Sequence, residues 1–158
     1  SFRLRDALAA LGARGPAFTY VLIDCPPSLN LLTMNALAAA DGLLVPLQCE
    51  FFALEGLSQL QRTVELVRGS LNPTLKIQGV VLTMADKRNR LTEQVEADVR
   101  AHMGETVYKT IIPRNVRLSE APSHGLPAIV YDIKAPGSQA YIQLASELIQ
   151  RERALKAA

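Results

Sequence analysis

Short apolar runs alternate with longer segments of mixed polarity along this 158-residue chain. The runs rich in β-formers predict strands at residues 20–23, 43–47, 76–84 and 106–112. The intervening segments predict helices at residues 1–12, 29–40, 54–68, 92–102, 116–121 and 138–153, with a brief extended piece at 128–131. This alternation predicts an α/β fold, a mostly parallel doubly wound sheet flanked by helices and joined by right-handed crossovers.

The run at residues 20–23 ends abruptly at Asp24, and Pro26 and Pro27 follow. We expect a strand that is buried on both faces and that the prolines terminate. Asp24 would then lie at the carboxyl end of a central parallel strand, the edge at which α/β proteins bind ligands. A carboxylate there suits Mg²⁺, held through water beside a nucleotide phosphate, but it could equally cap the turn. Ser28 is the expected N-cap of the next helix.

Four segments of the chain carry a family resemblance. Residues 20–30 resemble the Walker B segment of the ParA/Soj family, the deviant Walker P-loop ATPases that partition chromosomes and plasmids. Residues 32–37, 48–57 and 112–125 resemble the same family in the same order, so the resemblance covers roughly residues 18–150. It implies a P-loop NTPase-like fold, ATP/ADP with Mg²⁺, a homodimer, nonspecific DNA binding and a centromere-binding partner of the ParB/Spo0J type. A cytoplasmic, nucleoid-associated location follows from the same resemblance.

One motif of that family is missing. The sequence contains no Gly-Lys pair and therefore no glycine-rich phosphate-binding loop. We expect the chain to be the carboxyl-terminal part of such an ATPase, a single α/β domain over residues 1–158 whose fold is incomplete at the N-terminus. We also expect no ATP hydrolysis by this chain alone, because the loop that grips the β- and γ-phosphates is absent.

The resemblance assigns roles to several loops. Asp24 would support the Mg²⁺-bound water, and Pro26, Pro27 and Ser28 match the loop that senses the γ-phosphate. The loops expected to embrace the adenine contain Thr83, Met84, Pro113, Arg114 and Asn115. Asn115 can donate to and accept from a base edge, or it could instead cap the helix that begins at Val116. Residues near the nucleotide and dimer interface would be Gln48, Glu50, Glu55 and Gly56, although the two glutamates could simply open a helix.

Two basic clusters follow predicted strands and so share one edge of the sheet. The first contains Lys87, Arg88 and Arg90, and the second contains Arg114 and Arg117. A charged loop is commonly just solvated. Arg88 and Arg117, however, match basic positions that the family uses for sequence-independent DNA binding. Such contacts go to phosphates and weaken steeply with salt.

Composition limits the remaining classes. The 49% hydrophobic content favours a globular protein, and the formal charge of +2 means that DNA binding would need the local clusters. Cys25 and Cys49 lack metal-ligand spacing, so we expect free thiols. Alternatives are a non-catalytic DNA- or partner-binding module and a MinD-like cell-division ATPase. The tail at residues 150–158 is too poor in large apolar residues for the membrane anchor of MinD, so we expect no membrane partner.

Overall fold

The computed structural model describes residues 2–15, 18–26, 28–86 and 88–157. Pro27 and Lys87, for which the sequence predicts functional roles, lie outside the described residues. The helices and strands are α1 Arg3–Arg14, α2 Leu31–Ala39, β1 Gly42–Gln48, α3 Ala53–Ser70, β2 Lys76–Thr83, α4 Arg90–Met103, α5 Val116–Glu120, α6 Ala128–Tyr131 and α7 Pro136–Ala157. Short 3-10 turns cover Gly104–Thr106 and Ala121–His124. Within the described ranges, no helix combines the length and apolar character needed to cross a membrane.

The parallel sheet and its flanking helices confirm the predicted fold class. The strands β1 and β2 are hydrogen-bonded neighbours and match the predictions at 43–47 and 76–84. Beyond β2, isolated parallel bridges join Val80 to Val107 and Ala85 to Pro113. The order of the elements brings the end of β2 next to the chain segment that precedes α5.

The prediction of a strand at residues 20–23 is wrong, because the structure has no strand there. This segment belongs to no strand, and it is exposed, Leu22 to 87% and Val21 to 53%. A strand buried on both faces requires hydrogen-bonded neighbours and covering helices, and its own sequence cannot supply them. No strand of the described residues pairs with this segment.

The fourth predicted strand, at 106–112, is also not regular. Only part of its backbone pairs with β2, through Tyr108 N to Val80 O at 2.8 Å and Ile112 N to Leu82 O at 2.9 Å. The carboxylate of Glu147 on α7 instead accepts the N–H groups of Lys109 and Thr110 at 2.8 and 2.9 Å. Because the Glu147 side chain takes up these two N–H groups, they are not available for strand pairing and no regular ladder forms along residues 106–112.

Two local predictions are also corrected. Helix α2 is capped by Asn30 and not by Ser28, because the helix begins at Leu31 and the Asn30 side chain accepts from Thr33 N at 3.0 Å. Residues Ala128–Tyr131 form a helical turn and not an extended piece. The Pro127 carbonyl accepts from Val130 N and Tyr131 N, each at 2.9 Å, and these local bonds outweigh the β-propensity of the segment.

The chain groups into two compact units, Ser1–Leu43 with Ser58–Gln78, and Leu44–Leu57 with Gly79–Ala158. The buried core of the first unit contains Leu37, Val64, Val67 and Leu75. That of the second contains Val81, Tyr108, Ile112, Ala140 and Leu144. The expectation of a single domain over residues 1–158 stays a prediction.

Candidate functional site

The loop that follows β2 has an unusual backbone. Met84 has a φ of +54°, and among the described non-glycine residues no other φ is positive. This left-handed conformation costs a residue with a Cβ about 1–2 kcal/mol. It is held in place by hydrogen bonds on both sides, from Cys49 N to Thr83 O at 3.2 Å and from Ala85 N to Ile112 O at 3.2 Å. The Met84 side chain remains 40% exposed.

The loop before α5 is tied to the loop after β2. Arg114 N donates to Ala85 O at 2.9 Å, next to the parallel bridge between Ala85 and Pro113. The fold therefore brings together the two segments that the sequence assigned to the base, Thr83 with Met84 and Pro113 with Asn115. Because both segments are anchored through backbone atoms, their relative position is set by the sheet.

Asn115 occupies the N-cap position of α5 but does not cap it. Its side chain makes no capping hydrogen bond. Its Oδ1 is buried and has no hydrogen-bond partner in the structure. The capping alternative is therefore wrong. A buried carbonyl oxygen without a donor is costly and calls for an explanation such as a ligand group.

A pocket of about 530 Å³ opens beside Asn115. Its walls come from two segments, residues 114–117 at the start of α5 and the turn before α7 with Asp132, Lys134, Ala135 and Pro136. The Asp132 carboxylate accepts the N–H groups of Lys134 and Ala135 at 3.1 Å each, which fixes this turn. The lining of the pocket thus combines three basic residues, one carboxylate residue and Asn115, whose Oδ1 is buried.

Sequence reasoning missed Asp132 and Lys134. They belong to no recognised motif and lie far along the chain from Asn115, so only the fold brings them to the same pocket. The available signal was the change from the 128–131 segment to a Pro-containing turn just before a long helix.

The predicted DNA-contacting arginines are exposed but paired. Arg88 forms a bidentate contact with Asp86, with Nε to Oδ1 at 3.0 Å and Nη2 to Oδ2 at 2.9 Å. These hydrogen bonds from Arg88 lower the pKa of Asp86 to about 2. Arg117 contacts Glu120 through Nη1 and Oε2 at 2.9 Å and lies 3.6 Å from Asp132 through Nε and Oδ2. Arg90 begins α4 and is exposed.

The Asp24 region lies in the first compact unit, whereas all residues of the pocket lie in the second. Asp24 and Pro26 are exposed in a segment outside any helix or strand. The Ser28 carbonyl accepts from Thr33 Oγ1 at 2.8 Å, which joins this segment to the start of α2. Cys25 is an exposed free thiol and Cys49 a buried one, as the sequence indicated.

The residues assigned to the interface loop, Gln48, Glu50, Glu55 and Gly56, are all exposed, at the end of β1 and in the first turn of α3. Within the described ranges, no three His, Cys, Asp or Glu side chains form a cluster that could hold a metal ion.

Comparisons with known proteins point to one family. The AAA domain family model matches residues 2–77. The chromosome partitioning protein ParA of Caulobacter vibrioides is 70% identical over 153 residues, which is 97% of this chain and 57% of that protein. The sporulation initiation inhibitor protein Soj of Bacillus subtilis is 54% identical over 146 residues, 92% of this chain and 56% of that protein.

A solved structure supports the fold. Cobyrinic acid a,c-diamide synthase from Mycobacterium smegmatis, crystallised with ADP and magnesium, matches with a TM-score of 0.74 and 36% identity. The match covers 96% of this chain and 54% of that one. This chain thus spans just over half the length of the relatives that it matches. High identity to ParA and Soj across nearly all of its residues shows that the chain belongs to the ParA/Soj family of chromosome-partitioning ATPases, which have the P-loop NTPase fold.

Proposed function

We propose that this chain provides the base-binding pocket and the DNA-contacting surface of a ParA-type partitioning ATPase. In the intact protein, ATP with Mg²⁺ promotes a homodimer that binds DNA without sequence specificity. A ParB-type centromere-binding protein then stimulates hydrolysis and release from the nucleoid. The family and the similarity to a protein crystallised with ADP and magnesium support this cycle.

The buried, unpaired Oδ1 of Asn115 is the observation that carries the base-binding proposal. An oxygen in this state is satisfied by an N–H donor, and the exocyclic amino group of adenine is such a donor. The Asn115 amide N–H₂ can in turn donate to a ring nitrogen of the base. Met84 and Pro113 lie on the two loops that are joined through Ala85, and each offers apolar surface to a flat ring.

The phosphates and the metal ion fit this chain less well than the base does. The sequence has no Gly-Lys pair, and Asp24 is its one assigned carboxylate for the Mg²⁺-bound water. When bound, Mg²⁺ would neutralise phosphate charge. This chain would contribute one exposed carboxylate to that site, the carboxylate of Asp24. For this chain by itself, the absence of a Gly-Lys pair from its sequence favours a second candidate function, a DNA- or partner-binding module without catalysis.

Chemical-shift titration of the ¹⁵N-labelled chain with ADP and with GDP tests the base-binding proposal. We expect ADP to shift the amides of residues 114–117 and 132–135 and to bind more tightly than GDP. Asn115→Leu, which removes the amide but keeps much of the volume, should weaken ADP binding by about ten-fold.

Asn35→Leu is the matched control, because Asn35 Oδ1 is also buried and unpaired but lies in α2. This variant should bind ADP like the unmodified chain. If ADP shifts none of the pocket amides at millimolar concentration, or if Asn115→Leu binds as well as Asn35→Leu, the assigned pocket is wrong.

A further inference from the structure

We propose that Asp86 and Glu120 are affinity-setting residues of the DNA surface, because each holds one of its arginines in an intramolecular ion pair that a DNA phosphate must displace. The inference rests on the proposed DNA-binding function of Arg88 and Arg117. It concerns carboxylates that neither the sequence motifs nor the family assignment singled out.

Arg88 is held with its recognition edge occupied. A guanidinium group contacts a phosphate best through two parallel N–H groups, and Nε with Nη2 forms such an edge. Both of these atoms donate to the Asp86 carboxylate, at 3.0 and 2.9 Å. Asp86 Oδ1 also accepts the backbone N–H of Arg88 at 3.0 Å, so the carboxylate is fixed by the turn itself. A phosphate can reach the same edge only after this pair opens.

Arg117 is held in a comparable way on α5. Its Nη1 donates to Glu120 Oε2 at 2.9 Å, and Tyr131 OH donates to the same oxygen at 3.3 Å. The tyrosine therefore keeps Glu120 turned toward the arginine. Asp132 adds a second carboxylate, 3.6 Å from Nε.

The charges around the two arginines explain why the carboxylates should matter. Arg88 with Asp86 has no net charge, and Arg117 with Glu120 and Asp132 has a net charge of −1. Within the described residues, no ion pair involves Arg114 or Lys134, although the charge of Arg114 helps to lower the pKa of Asp86. Nearby carboxylates repel a phosphate backbone and compete for the same donors.

The pairs are also suited to exchange. Arg88 is 90% exposed and Arg117 53% exposed, so both ion pairs lie in solvent and are weak. A weak internal partner lowers DNA affinity by a modest factor without preventing binding. Asp86 and Glu120 thus set how readily Arg88 and Arg117 can contact DNA phosphates at a given salt concentration.

Fluorescence anisotropy of a labelled duplex, measured with the full chain over a series of salt concentrations, tests this proposal. Asp86→Asn keeps the oxygen that accepts Arg88 N–H, and Glu120→Gln keeps the oxygen that accepts from Tyr131, so each variant removes charge with little change of fold. We expect each to bind DNA about two- to five-fold more tightly, with a salt slope steeper by up to about 0.9 for each arginine released.

Glu65→Gln is the control for net charge, because Glu65 pairs with Arg68 on α3 at 3.1 Å in a similarly exposed pair. It should leave DNA affinity unchanged. Asp86→Asn or Glu120→Gln binding no more tightly than Glu65→Gln overturns the assignment for that residue. The combined Arg88→Ala and Arg117→Ala variant separates the two levels: if it loses affinity while the carboxylate variants gain none, DNA binding stands and the present inference fails.

Discussion

The ring of Tyr108 occupies the space that a side chain on Gly79 would need. A Cβ built on Gly79 would clash with Cε2 of Tyr108, which is completely buried in the core of the second unit. Arg151 covers the same ring from α7, with its Cζ 4.2 Å from the ring centroid. The glycine in β2 thus allows the segment before the base loop to pack directly on the sheet.

Gly79→Ala should therefore lower the free energy of unfolding by about 1–3 kcal/mol, because the core must shift to accept the methyl group. Chemical denaturation followed by circular dichroism measures this change. Gly69→Ala in α3 is the control: its Cβ would meet nothing within 4 Å, and alanine is the better helix former, so stability should rise slightly. Equal stability of the two variants would contradict the packing described for Tyr108.

The Glu147 carboxylate should give the fold an acid-sensitive component. Burial alone would raise the pKa of Glu147, but hydrogen bonds from Lys109 N, Thr110 N and Arg151 outweigh it and lower the pKa below the ordinary 4.5. A lowered carboxyl pKa contributes stability above the ordinary value, and this contribution is lost as the pH falls through the folded-state pKa.

We therefore expect the free energy of unfolding to decrease as the pH is lowered below 4.5, and to decrease less in Glu147→Gln. At neutral pH this variant should be less stable by about 1–3 kcal/mol, because Arg151 and two backbone N–H groups lose a charged acceptor. Denaturation at several pH values is the measurement, with the exposed Glu65→Gln for comparison. Parallel pH profiles for Glu147→Gln and the unmodified chain would show that Glu147 has no such role.

The predictable elements are those whose own sequence decides their structure. The helix α3 has apolar residues at helical spacing, the strands β1 and β2 are short apolar runs, and all three form close to the predicted bounds. The segment at 106–112 depends on Glu147, 38 residues beyond Lys109, and no local pattern reveals such a partner. Residues 20–23 look like a central strand in sequence, yet a buried strand needs paired strands beside it, and none of the described strands pairs with these residues.

The residues of the site also divide into those that the sequence predicts and those that only the fold brings together. Asn115 and the arginines were found through motifs, since these residues stand together after predicted strands. Asp132 and Lys134 enter the pocket only through the turn before α7. The carboxylate partners Asp86 and Glu120 were also missed, because a charge on a surface loop has no sequence signature for the contact that it makes.

Replacing Met84 with glycine should change stability and ligand binding in opposite directions. Met84→Gly removes the cost of a Cβ at a φ of +54° and should raise stability by up to about 1 kcal/mol, while removing apolar surface from the base loop and weakening ADP binding. Met84→Val should lower stability, because a β-branched residue tolerates a positive φ poorly. Thermal denaturation and the ADP titration measure the two effects. A loss of stability in Met84→Gly would show that side-chain packing outweighs the backbone cost.

ATP hydrolysis provides a separate prediction. The chain alone should release no phosphate from ATP above an enzyme-free blank, because its sequence has no Gly-Lys loop to hold the β- and γ-phosphates. A coupled phosphate assay with Mg²⁺ measures this directly. Phosphate release that disappears in Asp24→Ala would show that these residues are sufficient for catalysis.

The most direct test of the partitioning role is salt-dependent DNA binding by the chain and by the combined Arg88→Ala and Arg117→Ala variant. We expect this variant to bind a random-sequence duplex at least ~10-fold more weakly, with a salt slope shallower by about 1 per arginine. The combined Arg62→Ala and Arg68→Ala variant removes the same charge from α3 and should bind as the unmodified chain does. Equal DNA affinity of the two double variants, or no salt-sensitive binding by the chain itself, would contradict the proposal that Arg88 and Arg117 bind DNA.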